Sequence, residues 1–328
     1  MAQAQIQNYM NITTEKVDLS VVIPVFNETE SIRILAESLL KVLENLNRKF
    51  EIIFVDDGST DGSHLILKTL SEEISIVKAV RFRRNFGQTA AMAAGFNYAS
   101  GGIIITLDGD LQNDPADIPR IVAKLEEGYD VVSGWRKNRQ DDFITRKIPS
   151  MLANMLISKM TGTYLHDYGC SLKAYRAEIA KELSLYGELH RFIPALASIE
   201  GASISEIPVL HHARKSGKSK YNIFRTFKVI LDLLTVVFLK KFMTRPLHIF
   251  GRIGLFSFIT GLAICLHLAF DKIIYSTNIG NRPLLLLGVL LILTGFQLIS
   301  TGIIAEIQIR TYYESQNKAI YKVKEVYN

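Results

Sequence analysis

Two stretches in the last quarter of this chain carry no formal charge. Ile253 to Phe270, IGLFSFITGLAICLHLAF, is eighteen residues long, and Leu284 to Ala305 is twenty-two. The hydrocarbon core of a bilayer, about 30 Å thick, takes about 20 residues of helix to cross. Each run therefore predicts a membrane span, and the linker DKIIYSTNIGNRP makes the pair a hairpin. From Arg214 to Arg252 there are ten Lys or Arg and one acid, Asp232, whereas the linker holds Lys272, Arg282 and Asp271. Cations gather on the cytoplasmic side of spans. Both termini and everything before the hairpin are thus expected in the cytoplasm, at the plasma (inner) membrane. The glycines in the spans (Gly254, Gly261, Gly288, Gly295, Gly302) would allow close helix contacts, with a homo-oligomer left open.

The part before the hairpin has a different grammar. The strands LSVVIPVF, EIIFVD, SIVKAVRF, IIITLD and DVVSG alternate with helical patterns over Glu30 to Leu46, Ser63 to Glu73, Gln88 to Ala99 and Ala116 to Glu127. Strands separated by helices of ten or more residues imply βαβ crossovers, hence an α/β domain with a mostly parallel sheet. With 328 residues, 48% of them hydrophobic, the chain has enough apolar side chains for that core as well as the spans. The sequence divides into a polar extension (residues 1–17), the α/β domain (18–221), an amphipathic segment (222–246), the hairpin (247–310, spans about 250–270 and 284–305) and a polar tail (311–328). The amphipathic segment sets Phe224, Phe227, Leu231, Leu234 and Phe238 on one helical face, with Arg225, Lys228 and Asp232 interspersed. It reads as a helix on the membrane surface, with packing against a partner subunit as the alternative.

The strand ends are where the chemistry lies. In open parallel sheets, ligands bind beyond the carboxyl ends of the strands, and here those ends carry Pro24 and Glu28 (IPVFNE), Asp56 and Asp57 (VDDGS), and Asp108 and Asp110 (LDGD). An Asp-Gly-Asp at a strand end suits a hard divalent cation, with bound diphosphate supplying further oxygens. Gly109 is expected to let the chain turn between the two acids, and Gln112 and Asp114 to complete or orient the shell. Three such ends converging on one pocket describe a nucleoside-diphosphate binder. Glu28 or Asp56 would accept hydrogen bonds from a ribose or base, although Glu28 also suits a helix N-terminus through the macrodipole.

The motifs VVIPVFNE, VDDGSTDGS, LDGDLQNDP, DYGCSLKAYR (Asp167 to Arg176) and HHARKSGKSKY (His211 to Tyr221), in that order, resemble glycosyltransferase family 2. Within it the chain is similar to the membrane-anchored polyisoprenyl-phosphate glycosyltransferases, such as bactoprenol glucosyltransferases and dolichyl-phosphate mannosyltransferases. The likeness covers about Leu19 to Tyr221, and the tail resembles the bactoprenol type. The resemblance implies a GT-A fold and an inverting, Mg²⁺- or Mn²⁺-dependent transfer of a hexose to a polyprenyl phosphate. Glucose from UDP-glucose is the first expectation, and GDP-mannose or another nucleotide sugar the alternative. It places Pro24, Glu28, Asp56 and Asp57 at the nucleoside, without deciding which aspartate meets the base. Asp108, Gly109, Asp110 and Gln112 fall at the metal and diphosphate; Arg136, Arg146 and Ser150 at the acceptor phosphate; Arg214, Lys218, Ser219 and Lys220 in a basic loop closing over the donor.

Asp167 borders the sugar in this reading, either orienting a hydroxyl or the nucleophile, or capping its loop. Tyr168, Gly169 and Cys170 shape the same wall, and Cys170 is not expected to be a nucleophile. The cations also stand without the resemblance, because a departing diphosphate gains charge that fixed cations stabilise, and Gly217 suits a closing motion. No catalytic base is required, since a phosphate monoester with a second pKa of about 6 is already ionised at neutral pH. His211 and His212 are read as loop histidines. Two cysteines, one inside a span, exclude a disulfide framework and fit a reducing compartment, and nothing calls for a nucleic-acid partner. Two spans are too few for the channel of a processive polysaccharide synthase, and intact acidic and basic motifs disfavour a non-catalytic scaffold.

Overall fold

The structure, a computed structural model, describes residues 16–137, 154, 155, 157–159, 161–183, 185, 189–212, 247–276, 278 and 283–315. Residues 1–15, the amphipathic segment 222–246 and the tail from 316 lie outside the described residues. The chain forms two compact units, Met1–Val236 and Val237–Asn328.

In the first unit the strands are β1 (Leu19–Val25), β2 (Phe50–Asp56), β3 (Val77–Arg81), β4 (Ile103–Thr106), β5 (Val131–Trp135), β6 (Lys173–Arg176) and β7 (Ile204–Pro208). The helices are α1 (Ile32–Glu44), α2 (Ser63–Glu73), α3 (Gln88–Tyr98), α4 (Ile118–Glu126), α5 (Ala177–Glu182) and α6 (Ile193–Ile199). The strands join in one sheet of order β3-β2-β1-β4-β6-β5-β7. All neighbours are parallel except β6, which runs antiparallel between β4 and β5.

The central strands are apolar throughout because both faces are covered. Val21, Ile23, Ile52, Phe54 and Ile105 turn to one core, under Leu35 and Leu39 of α1, Leu67 and Leu70 of α2, and Ile121 and Leu125 of α4. The alternate residues Val22, Ile53, Val55 and Ile104 face a second core with Ala91, Met92 and Phe96 of α3 and Ile193 and Ala197 of α6. In α1 the buried positions Ile32, Leu35, Ala36, Leu39 and Leu43 follow the 3.6-residue period of a one-sided helix. Helix α3 lies close on β1 because residue 95 is glycine: a Cβ there would stand 2.1 Å from Val22 Cγ1.

The predicted strands and helices before β6 are all present, with ends shifted by a few residues. The fourth helical pattern, Ala116 to Glu127, begins instead as a 3-10 turn, Pro115–Asp117, before α4. Strands β6 and β7 were not anticipated from the alternation. The short β6 begins at a buried lysine, and β7 is only half buried along its length, so neither shows an apolar run.

In the second unit, α7 (Leu247–Tyr275) and α8 (Pro283–Ser315) are long and apolar enough to cross a membrane, with mean hydropathies of 2.1 over Ile249–Tyr275 and 2.2 over Pro283–Gln308. Only 22% and 11% of their most apolar windows are buried, whereas the core helix of a soluble protein would be mostly covered. They form an antiparallel hairpin, and the glycines sit at its seam. A Cβ on Gly261 would lie 2.5 Å from the Gly288 carbonyl oxygen, and one on Gly295 2.6 Å from that of Gly254. Ser257 Oγ donates to the Leu291 carbonyl at 2.9 Å across the same seam. These small residues therefore serve the contact inside the hairpin.

Candidate active site

Strand β1 ends at Pro24 and Val25, and the chain turns through Asn27, whose φ of 58° is left-handed, to Glu28. Glu28 is tied to the start of α1: Ser31 Oγ donates to its carbonyl at 3.1 Å and to its Oε2 at 3.3 Å. Its own N–H donates to Ser63 Oγ at 3.0 Å. Glu28 lies three residues before Ser31, the N-cap of α1, whose first turn holds no acid, and its carboxylate remains partly exposed at the sheet edge.

The two aspartates after β2 part company. Asp57 is 4% exposed and fully engaged: Oδ1 accepts from the Phe86 amide at 2.7 Å, and Oδ2 from the Gly87 amide at 2.9 Å. Burial raises its pKa, and these two amides pull against that rise. Asp57 therefore fastens the loop that leads into α3. Gly58 makes this possible, since its φ is +73° and a Cβ would stand 2.5 Å from the Arg84 carbonyl carbon. Asp56 is 1% exposed and accepts from the Ser59 amide at 2.9 Å through Oδ1. Its buried Oδ2 has no hydrogen-bond partner among the described residues, with Arg81 Nε 3.7 Å away. A buried acceptor in that state points to a missing donor.

Beyond β4, Asp108 borders a cavity of about 110 Å³ that is also lined by Pro24, Gln88, Tyr168, Gly169, Cys170, Ser171, Lys173, His190 and Arg191. Gln88 Nε2 donates to Asp108 Oδ1 at 2.7 Å. The Asp108 amide and Asn113 Nδ2 both donate to Ser171 Oγ, at 3.2 and 2.5 Å, so one hydroxyl closes the ends of the acidic loop. Inside it, Asp110 Oδ1 accepts from the Gln112 amide at 3.1 Å. The left-handed residue of the loop is Leu111, with φ of 62°, and Gly109 is not in that region. The turn expected at Gly109 is therefore made two residues later, while Gly109 lies in ordinary contact with the Pro24 carbonyl, 3.5 Å from where its Cβ would be.

The exit of β7 is strapped to this loop. Leu210 donates its N–H to buried Asp117 Oδ2 at 2.6 Å, Asn113 and His211 form a bridge, and the His212 N–H reaches the Gln112 carbonyl at 2.9 Å. The His212 Nε2 and Asp114 Oδ2 pair at 2.9 Å. Burial alone would raise the Asp114 carboxyl, but His212 and the Ala116 amide outweigh it and hold it below its ordinary value. The basic stretch that follows His212 therefore leaves from the acidic loop. Arg214, Lys218, Ser219 and Lys220 themselves, with Arg146 and Ser150, lie outside the described residues.

Arg136 and Asp167 form a buried bidentate pair, Nε to Oδ2 at 2.6 Å and Nη2 to Oδ1 at 2.9 Å, with side chains 11% and 8% exposed. Burial opposes the charge on Arg136, yet the Asp167 carboxylate more than offsets this and raises its pKa. Gly169 makes room, since a Cβ there would stand 3.1 Å from Nη2. Asp167 also accepts the Gly169 amide at 3.1 Å, as in the loop-capping reading. Cys170 is fully buried, and burial first of all pushes its thiol up to about 11, so it is no nucleophile.

Sequence reasoning drew residues from the ends of β1, β2 and β4 and none from β3. The segment RFRRNFGQ after β3 supplies Gln88, and a systematic reading of every strand end would have found it. Lys173 was passed over within its own motif, as were His190 and Arg191 on the 3-10 turn Leu189–Phe192, which no apolar pattern announces.

The donor set fits a divalent cation. Asp108 and Asp110 offer hard carboxylate oxygens two residues apart at a strand end, and Mg²⁺ typically takes one or two carboxylates plus substrate phosphates. Among the described residues no group of three or more His, Cys, Asp or Glu forms a complete protein cage. Gln112 is fixed in this loop by its backbone.

The sheet order, the antiparallel β6 and the acidic loop define a GT-A-like α/β transferase fold. Residues 20–184 match "Glycosyl transferase family 2", and the chain belongs to that family. It is 48% identical over 322 residues to dodecaprenyl-phosphate galacturonate synthase of Rhizobium johnstonii, covering 97% of this chain and 95% of that protein. Among solved structures it resembles glucosyl-3-phosphoglycerate synthase of Mycobacterium tuberculosis in complex with Mn²⁺, uridine diphosphate and phosphoglyceric acid. The TM-score is 0.53 at 18% identity, covering 67% of this chain and 78% of that one. The same enzyme with Mn²⁺ and UDP-glucose matches at TM-score 0.51 and 16% identity, over 68% and 79% of the two chains. These structures support the fold, and the protein is a glycosyltransferase.

Proposed function

We propose that this enzyme transfers galacturonate from a uridine-diphosphate donor to the phosphate of a polyprenyl lipid. The observation that carries the reading is the 48% identity to a dodecaprenyl-phosphate galacturonate synthase across 97% of the chain, which takes in both the sheet domain and the apolar hairpin. On motifs alone glucose came first. No residue named there reads the hydroxyl pattern of the sugar, so the full-length relative weighs more.

The geometry of the site supports the following proposed roles. Asp56, with a buried acceptor oxygen to spare, is the aspartate that takes a donor from the nucleoside, while Asp57 holds the loop. Pro24 and Glu28 border the same end. Asp108 and Asp110 would hold Mg²⁺ or Mn²⁺, with Gln112 orienting their loop. When bound, that ion neutralises charge on the departing diphosphate. An oxygen of the acceptor phosphate, ionised at neutral pH, forms a bond to the sugar C1. The bond from C1 to the diphosphate oxygen breaks, its electron pair leaves on uridine diphosphate, and the anomeric centre inverts. Arg136 presents its remaining N–H groups to the acceptor phosphate while Asp167 fixes its plane; an arginine has five such donors. Arg146 and Ser150 complete that grip, and Arg214, Lys218, Ser219 and Lys220 close over the donor from a loop rooted at His212. The hairpin anchors the chain in the membrane that holds such a lipid, with the transferase domain and both termini in the cytoplasm.

The test incubates the purified full chain in detergent with undecaprenyl phosphate, Mn²⁺ and, separately, UDP-galacturonate, UDP-glucose, UDP-galactose and GDP-mannose. Masses of the extracted lipid products are then read. A galacturonate product is expected. A product from a neutral hexose alone would overturn the choice of sugar, and no lipid product from any donor would overturn the transfer.

A further inference from the structure

The carboxylate of Asp108 is held from outside its own loop. Gln88, the first residue of α3, donates from Nε2 to Asp108 Oδ1 at 2.7 Å across 20 positions of sequence. The main chain of Asp108 is fixed separately, because its N–H donates to Ser171 Oγ at 3.2 Å. The Gln88 contact therefore acts on where the carboxylate points, and Ser171 on where the loop runs. An ionised carboxylate is acceptor-only through both of its oxygens, so an N–H on Oδ1 leaves Oδ2 for a cation. A neutral amide also orients the group without cancelling the negative charge that a cation needs.

Gln88 is itself placed from both sides. The loop before it is fastened by Asp57, through the Phe86 amide at 2.7 Å and the Gly87 amide at 2.9 Å. Thr89, after it, is buried and pairs through Oγ1 with His190 Nδ1 at 2.9 Å. The His190 N–H meets the same hydroxyl at 3.4 Å. One helix start thus ties the end of β2, with Asp56 and Asp57, to the end of β4, with Asp108. Gln88 is half-buried there and lines the same cavity as Asp108.

Resting on the cation role of Asp108 and Asp110, we infer that Gln88 is a positioning residue for the divalent ion: its amide N–H turns the Asp108 carboxylate so that one oxygen remains for the ion. Hydrogen-bond partners of metal-ligating carboxylates set metal affinity, and losing one typically costs about 10–100-fold. Gln88 acts through the cation and not on the nucleotide, so its loss is felt only where the cation is present.

The test measures UDP binding to the full chain in detergent by titration calorimetry, with one fixed Mn²⁺ concentration and again with excess chelator. Wild type, Gln88→Met and Gln88→Ala are compared. The ratio of the two dissociation constants reports how far Mn²⁺ strengthens UDP binding, and it is expected to fall by about tenfold or more in both variants. An unchanged ratio, whether or not UDP itself binds more weakly, would overturn the inference and leave Asp108 and Asp110 as the seat of the cation. A wild type whose UDP affinity ignores Mn²⁺ would overturn the cation role and the inference together. Each variant is melted beforehand, and unfolding of both would make Gln88 a structural residue and overturn the positioning role.

Discussion

The Arg136–Asp167 pair makes a sharp prediction because two roles, structural and functional, meet in it. Its side chains are 11% and 8% exposed, so solvent screens the pair little. Replacing Arg136 by Met leaves the Asp167 carboxylate buried without its cation, and removing one partner of such a pair costs about 3–5 kcal/mol. For a domain of this size each kcal/mol moves the melting temperature by roughly 2–4 °C, so the loss is roughly 6–20 °C. Replacing both partners with apolar residues, Arg136→Met with Asp167→Leu, removes the orphaned charge, and most of that loss should return. Activity should not return, since either variant removes the contact proposed between Arg136 and the acceptor phosphate. The assay is built in: Trp135 is the one tryptophan of the chain, adjoins Arg136 and stacks on His166 with ring centroids 4.3 Å apart. Its fluorescence reports melting at this spot. A single variant that melts within about a degree of wild type would refute the structural half. A double variant with restored activity would refute the functional half.

Two further outcomes follow from the site. Cys170, whose thiol burial pushes up to about 11, should resist a thiol reagent at pH 8 in native protein carrying Cys265→Ala and react once denatured; labelling of the native protein would contradict its burial. The Asp114 carboxyl is held below its ordinary value by His212 and the Ala116 amide, against burial, so the contribution of the strap is present above the unfolded value of about 4 and is lost as pH falls through the lower folded one. Asp114→Asn should therefore melt below wild type at pH 7, by up to about 1 kcal/mol for a pair this exposed, with the gap closing below pH 4. A gap that widens on acidification would reverse the sign.

What the sequence displayed and what it concealed have one physical cause. The strands β1, β2 and β4 are buried on both faces, so their apolar runs and the acids that end them stand out, and the carboxyl edge of the sheet was legible with Pro24, Asp56, Asp108 and Asp110 on it. Strand β6 carries Lys173 in its buried face and β7 is half exposed, so neither produces the pattern from which strands are read. The pairings that shape the site join residues far apart in the chain. Arg136 meets Asp167 across 31 positions, Ser171 closes onto Asn113 across 58, and Thr89 meets His190 across 101. No local period encodes such contacts. The difference between Asp56 and Asp57 is of the same kind: adjacent and identical in type, they separate only because the loop after β3 folds back to bring the Phe86 and Gly87 amides to one of them. The span glycines were legible as contact makers, and the structure adds that they meet within the hairpin.

The acidic loop after β4 is the proposed seat of the donor diphosphate and its cation. The decisive measurement follows label from UDP-galacturonate into lipid extracted from the full chain with undecaprenyl phosphate, comparing wild type with Mn²⁺, wild type with excess chelator, and Asp110→Ala with Mn²⁺, each with its melting temperature recorded. Label is expected in the first alone, with Asp110→Ala melting as wild type does. Full incorporation after chelation, or in Asp110→Ala, would contradict it.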